Sequence, residues 1–226
     1  MKLKSHLLAV ALLAGVAGTN ESQAQTCRGP KPTICERSCW NARAPQCSLT
    51  QMSELNRVVI HHTASSSDYS TGGLNDSKGK VRSHQNYHMD VNGWCDIGYH
   101  FLVDKHGNIF EGRKDSATIG ERPKGAHDGC NDRSFGFTAM GYFHSPYNNT
   151  PTTALMNNLE KVIAWRMPVG WGPKGTQAGS YCGKSLDDVI SHRDVSATAC
   201  PGDKLYNEVK EGNGFETAIE NRRSCN

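Results

Sequence analysis

Nine cysteines, at positions 27, 35, 39, 47, 95, 130, 182, 200 and 225, restrict this chain more than any other feature. What they do depends on the compartment. Ahead of them Lys2 and Lys4 precede an apolar run from His6 to Gly18, and Ser22-Gln23-Ala24 offers small residues for cleavage, so residues 1–24 read as a secretory signal. Thr19 and Asn20 interrupt the run short of the ~20 apolar residues of a membrane span, and no later segment is apolar enough to cross a bilayer. The expected location is therefore secreted: extracellular, or periplasmic in a Gram-negative bacterium. Exported thiols pair, and an odd count leaves one over, which is free, joined to another chain, or a metal ligand. The remainder allow four disulfides in any of roughly a hundred connectivities, which spacing does not resolve.

Once the leader is removed, about 200 residues remain, enough for one domain with a hydrophobic core. A single exported domain of that size is expected to be a monomer. The formal charge is +3, and the Lys and Arg residues are scattered, which argues against a nucleic-acid partner. Residues 25–50 carry four cysteines among Pro, Arg and Ser without a regular period, and read as a disulfide-pinned lead-in to a domain over 51–226.

Regular structure is expected to begin at Arg57-Val58-Val59-Ile60-His61-His62-Thr63, a β-branched run suited to a strand buried on both faces. Residues 65–80 are rich in Ser, Gly, Asp and Asn and read as a loop, followed by a short polar helix over 81–89. Tyr99 to Val103 and Ile109 to Arg113 flank Gly107-Asn108, a hairpin signal. A further strand is expected over 135–140. Thr152 or Thr153 can cap a helix carrying Leu155, Leu159, Val162 and Ile163 at helical spacing and ending near Pro168. Asp188 to His192 reads as a short strand, and Leu205, Tyr206 and Val209 as a helix after Pro201-Gly202. Interleaved strands and helices with one hairpin imply an α/β fold: a central mixed β-sheet flanked by helices, with a disulfide-rich N-terminal segment.

His61, His192 and Cys200 stand at strand ends beside loops, where sites are commonly built. Two imidazoles and a thiolate form a three-ligand set for zinc with one tetrahedral position left for water. Side chains alternate along a strand, so only one of His61 and His62 can face a given ion. Spacing by itself equally allows a disulfide-bonded Cys200 and ordinary polar histidines. Trp40 and Trp94 read first as core, Glu111 with Arg113 as a structural pair, and Arg193 with Asp194 as a local ion pair or loop cap.

Five blocks in order carry a family likeness: Val58 to Ala64, Gln85 to Asp90, Trp94 to Val103, Gly107 to Arg113, and Ser191 to Gly202. A sixth spans Ile34 to Arg43. Together they resemble the peptidoglycan recognition protein branch of the type 2 N-acetylmuramoyl-L-alanine amidases, over about Ile34 to Tyr206. The resemblance implies one Zn2+ per chain held by His61, His192 and Cys200, with Tyr99 assisting the tetrahedral intermediate and Thr198 at a position that active animal members fill with Thr. It also implies bacterial peptidoglycan, as muropeptide, for a partner. Beside that set, His62, His88 and Asp96 are candidate substrate-binding residues, weighed against plainer readings: His62 supporting the site or a sheet neighbour, His88 a polar helix residue and Asp96 a turn or cap residue. The competing functions are a recognition protein that binds peptidoglycan without cutting it and a thiol hydrolase built on Cys200 with His192 as base. Lys114-Asp115 follow Arg113 where many members carry Gly-Trp, which leaves the stem-peptide preference open, and the 65–80 segment lacks the close cysteine pair usual in animal members.

Overall fold

A computed structural model describes residues 27–70, 72–175, 179–210 and 213–223. The expected signal segment lies outside them. The strands are β1 (Ile34–Cys35), β2 (Arg57–His62), β3 (Phe101–Val103), β4 (Ile109–Glu111), β5 (Ser134–Ala139), β6 (Ser180–Tyr181), β7 (Lys184–Ser185) and β8 (Val189–Ser191). The helices are α1 (Leu74–Asn86), α2 (Thr153–Arg166), α3 (His192–Val195), α4 (Asp203–Val209) and α5 (Phe215–Asn221). Six strands form one mixed sheet in the order β1-β4-β3-β5-β2-β8, and β6 and β7 pair separately. Among the described residues no helix is long and apolar enough to cross a membrane.

β2 is buried at every position and lies parallel to both β5 and β8, as a β-branched strand covered on two faces should. Alternation sorts the sheet's side chains. Val58, Ile60, Phe101, Val103, Phe135 and Phe137 join a core shared with Leu155, Leu159, Val162 and Ile163 of α2, whereas Leu102 and Phe110 face Trp40, Val81, Ile97 and Met140. The helix α2 is the one expected: Thr152 caps it by accepting from the Leu155 amide at 3.1 Å, and it stops at Met167 before Pro168. The hairpin also forms, with the Asp104 carboxylate accepting from the His106 and Asn108 amides. Gly107 takes a φ of +86° at this turn, and a Cβ there would come within 2.5 Å of the Asn158 side chain of α2.

Two expectations change. Residues 65–80 are not a loop: a 3₁₀ turn occupies Ser66–Ser70, α1 starts at Leu74, and a π-helical turn continues it over Tyr87–Val91. The buried stripe of α1 is Ser77, Val81 and Gln85. Only Val81 is apolar, so no hydrophobic period marks it. The stripe is held by hydrogen bonds instead, Ser77 to Asp104 at 2.6 Å and Gln85 to Asp96 at 2.8 Å. The lead-in, for its part, builds into the sheet, because Ile34 and Cys35 pair with Ile109 and Phe110, and Trp40 is fully buried with its indole N–H on the Glu111 carbonyl at 2.8 Å.

Disulfides join Cys35 to Cys39, Cys47 to Cys95 and Cys130 to Cys182, and Cys27 is also disulfide-bonded. Cys200 is the free cysteine among the described residues, as an odd count requires somewhere. Glu111 and Arg113 turn to separate partners rather than to each other: Glu111 accepts from the Arg37 and Ala117 amides, and Arg113 donates to the Ile97 carbonyl. Asp194 caps the Ser191 amide at 2.7 Å, whereas Arg193 pairs with Asp203.

At the other end of β2, Arg57 and Asp188 form a wholly buried ion pair at 2.7 Å, with Arg57 also donating to the carbonyls of Gly179 and Leu186. The pair ties the start of β2 to the start of β8. Removing the cation leaves a carboxylate buried without its countercharge, so Arg57→Ala is expected to lower unfolding free energy by about 3–5 kcal/mol. Urea denaturation of the two proteins at pH 7 measures it, and a loss below about 1 kcal/mol would show that the pair does not hold the strands.

Candidate metal centre

Ile60 lies opposite Ser191 in the parallel β2–β8 ladder, so the residues that follow, His61 still on β2 and His192 at the start of α3, come to the same level. Their ring centroids are 4.7 Å apart, the spacing of neighbouring strands. From α3 the chain loops back and returns Cys200 to the end of β2, where its sulfur accepts from the His62 amide at 3.4 Å and lies 3.6 Å from His61 Nδ1. Thr198 steadies the return: its hydroxyl accepts from the Cys200 amide at 3.2 Å. One ligand atom from each of His61, His192 and Cys200 can be chosen so that all lie within 4.8 Å of one another.

The donor set fits zinc. Bonds of about 2.0–2.1 Å to nitrogen and 2.3 Å to sulfur, at tetrahedral angles, separate N from S by about 3.5 Å, close to the His61–Cys200 distance. The strand parity also holds. His61 faces His192 and Tyr99, whereas His62 turns to the opposite side among Tyr142, Phe143 and His144, with its Nδ1 accepting from the Phe143 amide at 3.5 Å.

Burial keeps the imidazoles neutral. It holds His61 well below the ordinary histidine value, helped by the neighbouring His127 and His192, and lowers His192 against the pull of Asp128. Cys200 is partly exposed as a residue, but its enclosed sulfur has its pKa pushed up by burial to about 12, with the His62 amide and Arg193 opposing. Two bare imidazole nitrogens and one protonated thiol are what a divalent cation needs, since the ion itself displaces the thiol proton.

Tyr99 stands beside the triad, its ring 5.5 Å from that of His61 and 5.4 Å from that of His88. Burial, with Cys200 and Asp68 nearby, raises its pKa, so the phenol keeps its proton and is a donor. His88 is buried and oriented by the Gly98 amide, which donates to its Nδ1 at 3.1 Å, and its ring lies 4.7 Å from Trp94. Burial lowers its pKa to about 4. Trp40 is core, and Trp94 is half-buried against His88.

Asp96 is a correction. Instead of lining the cleft it is fully buried, paired with Arg37 at 3.0 Å and accepting from Gln85 and from the Ile97 and Lys114 amides. Every lone pair is committed to joining the lead-in, α1 and the β4 end, so none is left for a substrate. Two groups next to the triad escaped sequence reasoning. His127 lies on a loop without periodicity and contacts His61 Nε2 at 3.0 Å, and Asp68, close enough to act on Tyr99, meets His84 at 2.6 Å. The small residues Gly125-Ala126 before His127 and Gly136 opposite it were the available signal, because only a missing Cβ makes room for the ring.

Residues 51–203 match the Amidase_2 family model, described as N-acetylmuramoyl-L-alanine amidase. The chain is 30% identical over 183 residues to peptidoglycan-recognition protein SC2 of Drosophila melanogaster, covering 79% of this chain and 85% of that one. It is 31% identical over 179 residues to peptidoglycan recognition protein 3 of Homo sapiens, again over 79% of this chain but only 46% of the relative, so it spans about half that protein's length. Among solved structures, peptidoglycan recognition protein-LE in complex with tracheal cytotoxin superposes with a TM-score of 0.60 at 30% identity, covering 78% of this chain and 91% of that one. The N-acetylmuramoyl-L-alanine amidase LysC of Clostridium intestinale URNW does so with a TM-score of 0.56 at 25% identity, covering 80% and 96%. With a fold, a residue cluster and a family match that agree, the chain belongs to the Amidase_2 family, that of N-acetylmuramoyl-L-alanine amidase, and is related to the peptidoglycan recognition proteins.

Proposed function

We propose that this chain is a secreted, zinc-dependent N-acetylmuramoyl-L-alanine amidase that hydrolyses the amide between N-acetylmuramic acid and L-alanine of bacterial peptidoglycan. The observation that carries the reading is the convergence of His61, His192 and Cys200, with Cys200 the free cysteine among the described residues, whose other cysteines form disulfides. Those disulfides support an oxidising, extracytoplasmic location. The solved relative bound to tracheal cytotoxin, a monomeric peptidoglycan, supports a muropeptide as partner, and the amidase LysC supports cleavage rather than binding alone.

Zinc held by His61, His192 and Cys200 would supply Lewis-acid polarisation of the scissile carbonyl and an acidified water at neutral pH. The chain's own residues do the rest. His61 and His192 offer neutral nitrogens because burial keeps them unprotonated. Tyr99 retains its phenolic proton and donates it as a hydrogen bond to negative charge building on the carbonyl oxygen. Thr198 holds the Cys200 amide, and with it the loop that carries the sulfur. Partly exposed around the triad, Tyr99, Thr198 and His192 leave the substrate a face to approach. A thiol-hydrolase role for Cys200 is weaker, since a nucleophilic cysteine needs a lowered pKa and burial here raises it.

The deciding experiment is release of stem peptide from purified peptidoglycan, with and without chelator, beside Cys200→Ser. New alanine amino termini that vanish with chelator or with C200S, and return with zinc only in the wild type, are expected. A folded, zinc-loaded protein that binds walls and releases nothing would transfer the assignment to a recognition protein. Tyr99→Phe is expected to lower kcat by about 10²–10³ with zinc content unchanged, the cost of one lost oxyanion donor. A kcat within threefold of wild type would remove Tyr99 from the chemistry.

Acid should destabilise the metal-free protein. Burial depresses His61, His62, His88, His100 and His127, to about 3 for His62 and to about 4 for His88 and His127. The unfolded chain titrates near 6.5, so between about pH 6.5 and 4 it binds more protons than the folded one. Stability is complete above that window and lost as pH falls through it, by up to about 1.4 kcal/mol per pH unit for each ring. Urea unfolding at pH 7 and pH 5 is expected to show a lower midpoint at pH 5, with several protons taken up on unfolding. A flat profile would mean that these rings are not held neutral.

A further inference from the structure

We infer that His127 is a positioning residue that locks His61 into the one tautomer able to bind a metal through Nδ1; the inference rests on the metal reading proposed above. A neutral imidazole has one N–H and one bare nitrogen, and the partner of one decides the state of the other. The chain of partners here ends on a group with a single role. His127 Nε2 lies 3.3 Å from the Ser134 carbonyl oxygen, which can only accept. His127 therefore carries its proton on Nε2 and leaves Nδ1 bare. That bare nitrogen sits 3.0 Å from His61 Nε2, which must then be the N–H donor. The proton on His61 is thus placed on the side away from the triad, and Nδ1, 3.6 Å from Cys200 Sγ, keeps its lone pair for a ligand.

Two neighbours could have reversed the order. The Ser134 hydroxyl lies 3.4 Å from His127 Nε2, but it is also 2.6 Å from the Tyr181 hydroxyl, whose own proton has the Asp128 carboxylate to go to at 2.7 Å. With Tyr181 donating to Asp128, the Ser134 hydroxyl donates to Tyr181 and presents only a lone pair to His127. The Asp128 carboxylate itself is 3.6 Å from His127 Nδ1, beyond hydrogen-bond range and farther than His61.

The ring's seat is built for it. A Cβ on Gly136 would come within 2.6 Å of His127 Cγ, and one on Gly125 within 2.5 Å of His127 Cδ2. The His127 backbone amide is fixed by Asn131 Oδ1 at 2.7 Å, and the Cys130–Cys182 disulfide ties this loop to the segment carrying Tyr181. An orienting partner on the second nitrogen is what metal-bound histidines ordinarily have, and here it is another imidazole relaying to a carbonyl.

The test uses the mature protein. Long-range ¹⁵N NMR of the histidine rings in the metal-free wild type is expected to show His61 protonated on Nε2 and bare on Nδ1. Zinc affinity by chelator competition is expected to fall about 10- to 100-fold in His127→Ala. His127→Asn, whose Oδ1 can stand where Nδ1 stood and accept the same hydrogen bond, is expected to recover to within about threefold of wild type. A proton on His61 Nδ1 in the wild type, unchanged zinc affinity in folded H127A, or an H127N no better than H127A overturns the inference, and the wild-type spectrum decides alone if H127A does not fold. A wild type that takes up no zinc overturns the metal reading and this inference together. Zinc binding lost in C200S but unchanged in H127A overturns this inference alone.

Discussion

The parallel pairing of β2 with β8 is the constraint on which the rest of the site depends. Its register sets Ile60 against Ser191, and the residues that follow these, one on β2 and one opening α3, are the two histidines that face one another. The buried Arg57–Asp188 pair holds the far end of the same two strands. A one-residue slip would send His61 to the side that His62 now occupies, because side chains alternate along a strand. The return of Cys200 depends on the same ladder, since its sulfur rests on the His62 amide at the strand's end.

Around this frame, burial does opposite things to different groups, and each effect suits the proposed chemistry. It removes protons from imidazoles, which then have lone pairs to give, and it keeps protons on Tyr99 and on the Cys200 thiol. A divalent ion reverses the last effect alone. The histidines therefore need no change of state to ligate, and Tyr99 needs none to donate. Carboxylates nearby are spent on structure: Asp96 gathers the lead-in, α1 and the β4 end, and Asp68 engages His84.

The parts of the fold that were legible share one property, a local pattern that does not depend on distant partners. β2 was visible as a β-branched run, the β3–β4 hairpin through its Gly-Asn turn, and α2 through its Thr cap and apolar period. α1 was not, because its inner face is Ser77, Val81 and Gln85, polar positions whose partners lie on Asp104 and Asp96 far along the chain. β1 escaped notice for a related reason, being two residues long and defined only by β4 beside it. Asp96 was misplaced because a carboxylate next to a family motif reads the same whether its lone pairs face solvent or four buried donors.

By itself the sequence determined the class of fold, through alternating strand and helix patterns, and the candidate ligands, through residue types whose chemistry suits zinc and whose order resembles a known family. It also determined that one cysteine must stand apart. How the described disulfides pair, and that His127 lies against the back of His61, were decided only by the tertiary structure. The physical reason is that, Cys35–Cys39 at four positions excepted, these are contacts between residues tens of positions apart, set by strand register and by the space that glycines such as Gly136 leave open, and neither quantity is written in any local stretch of the chain.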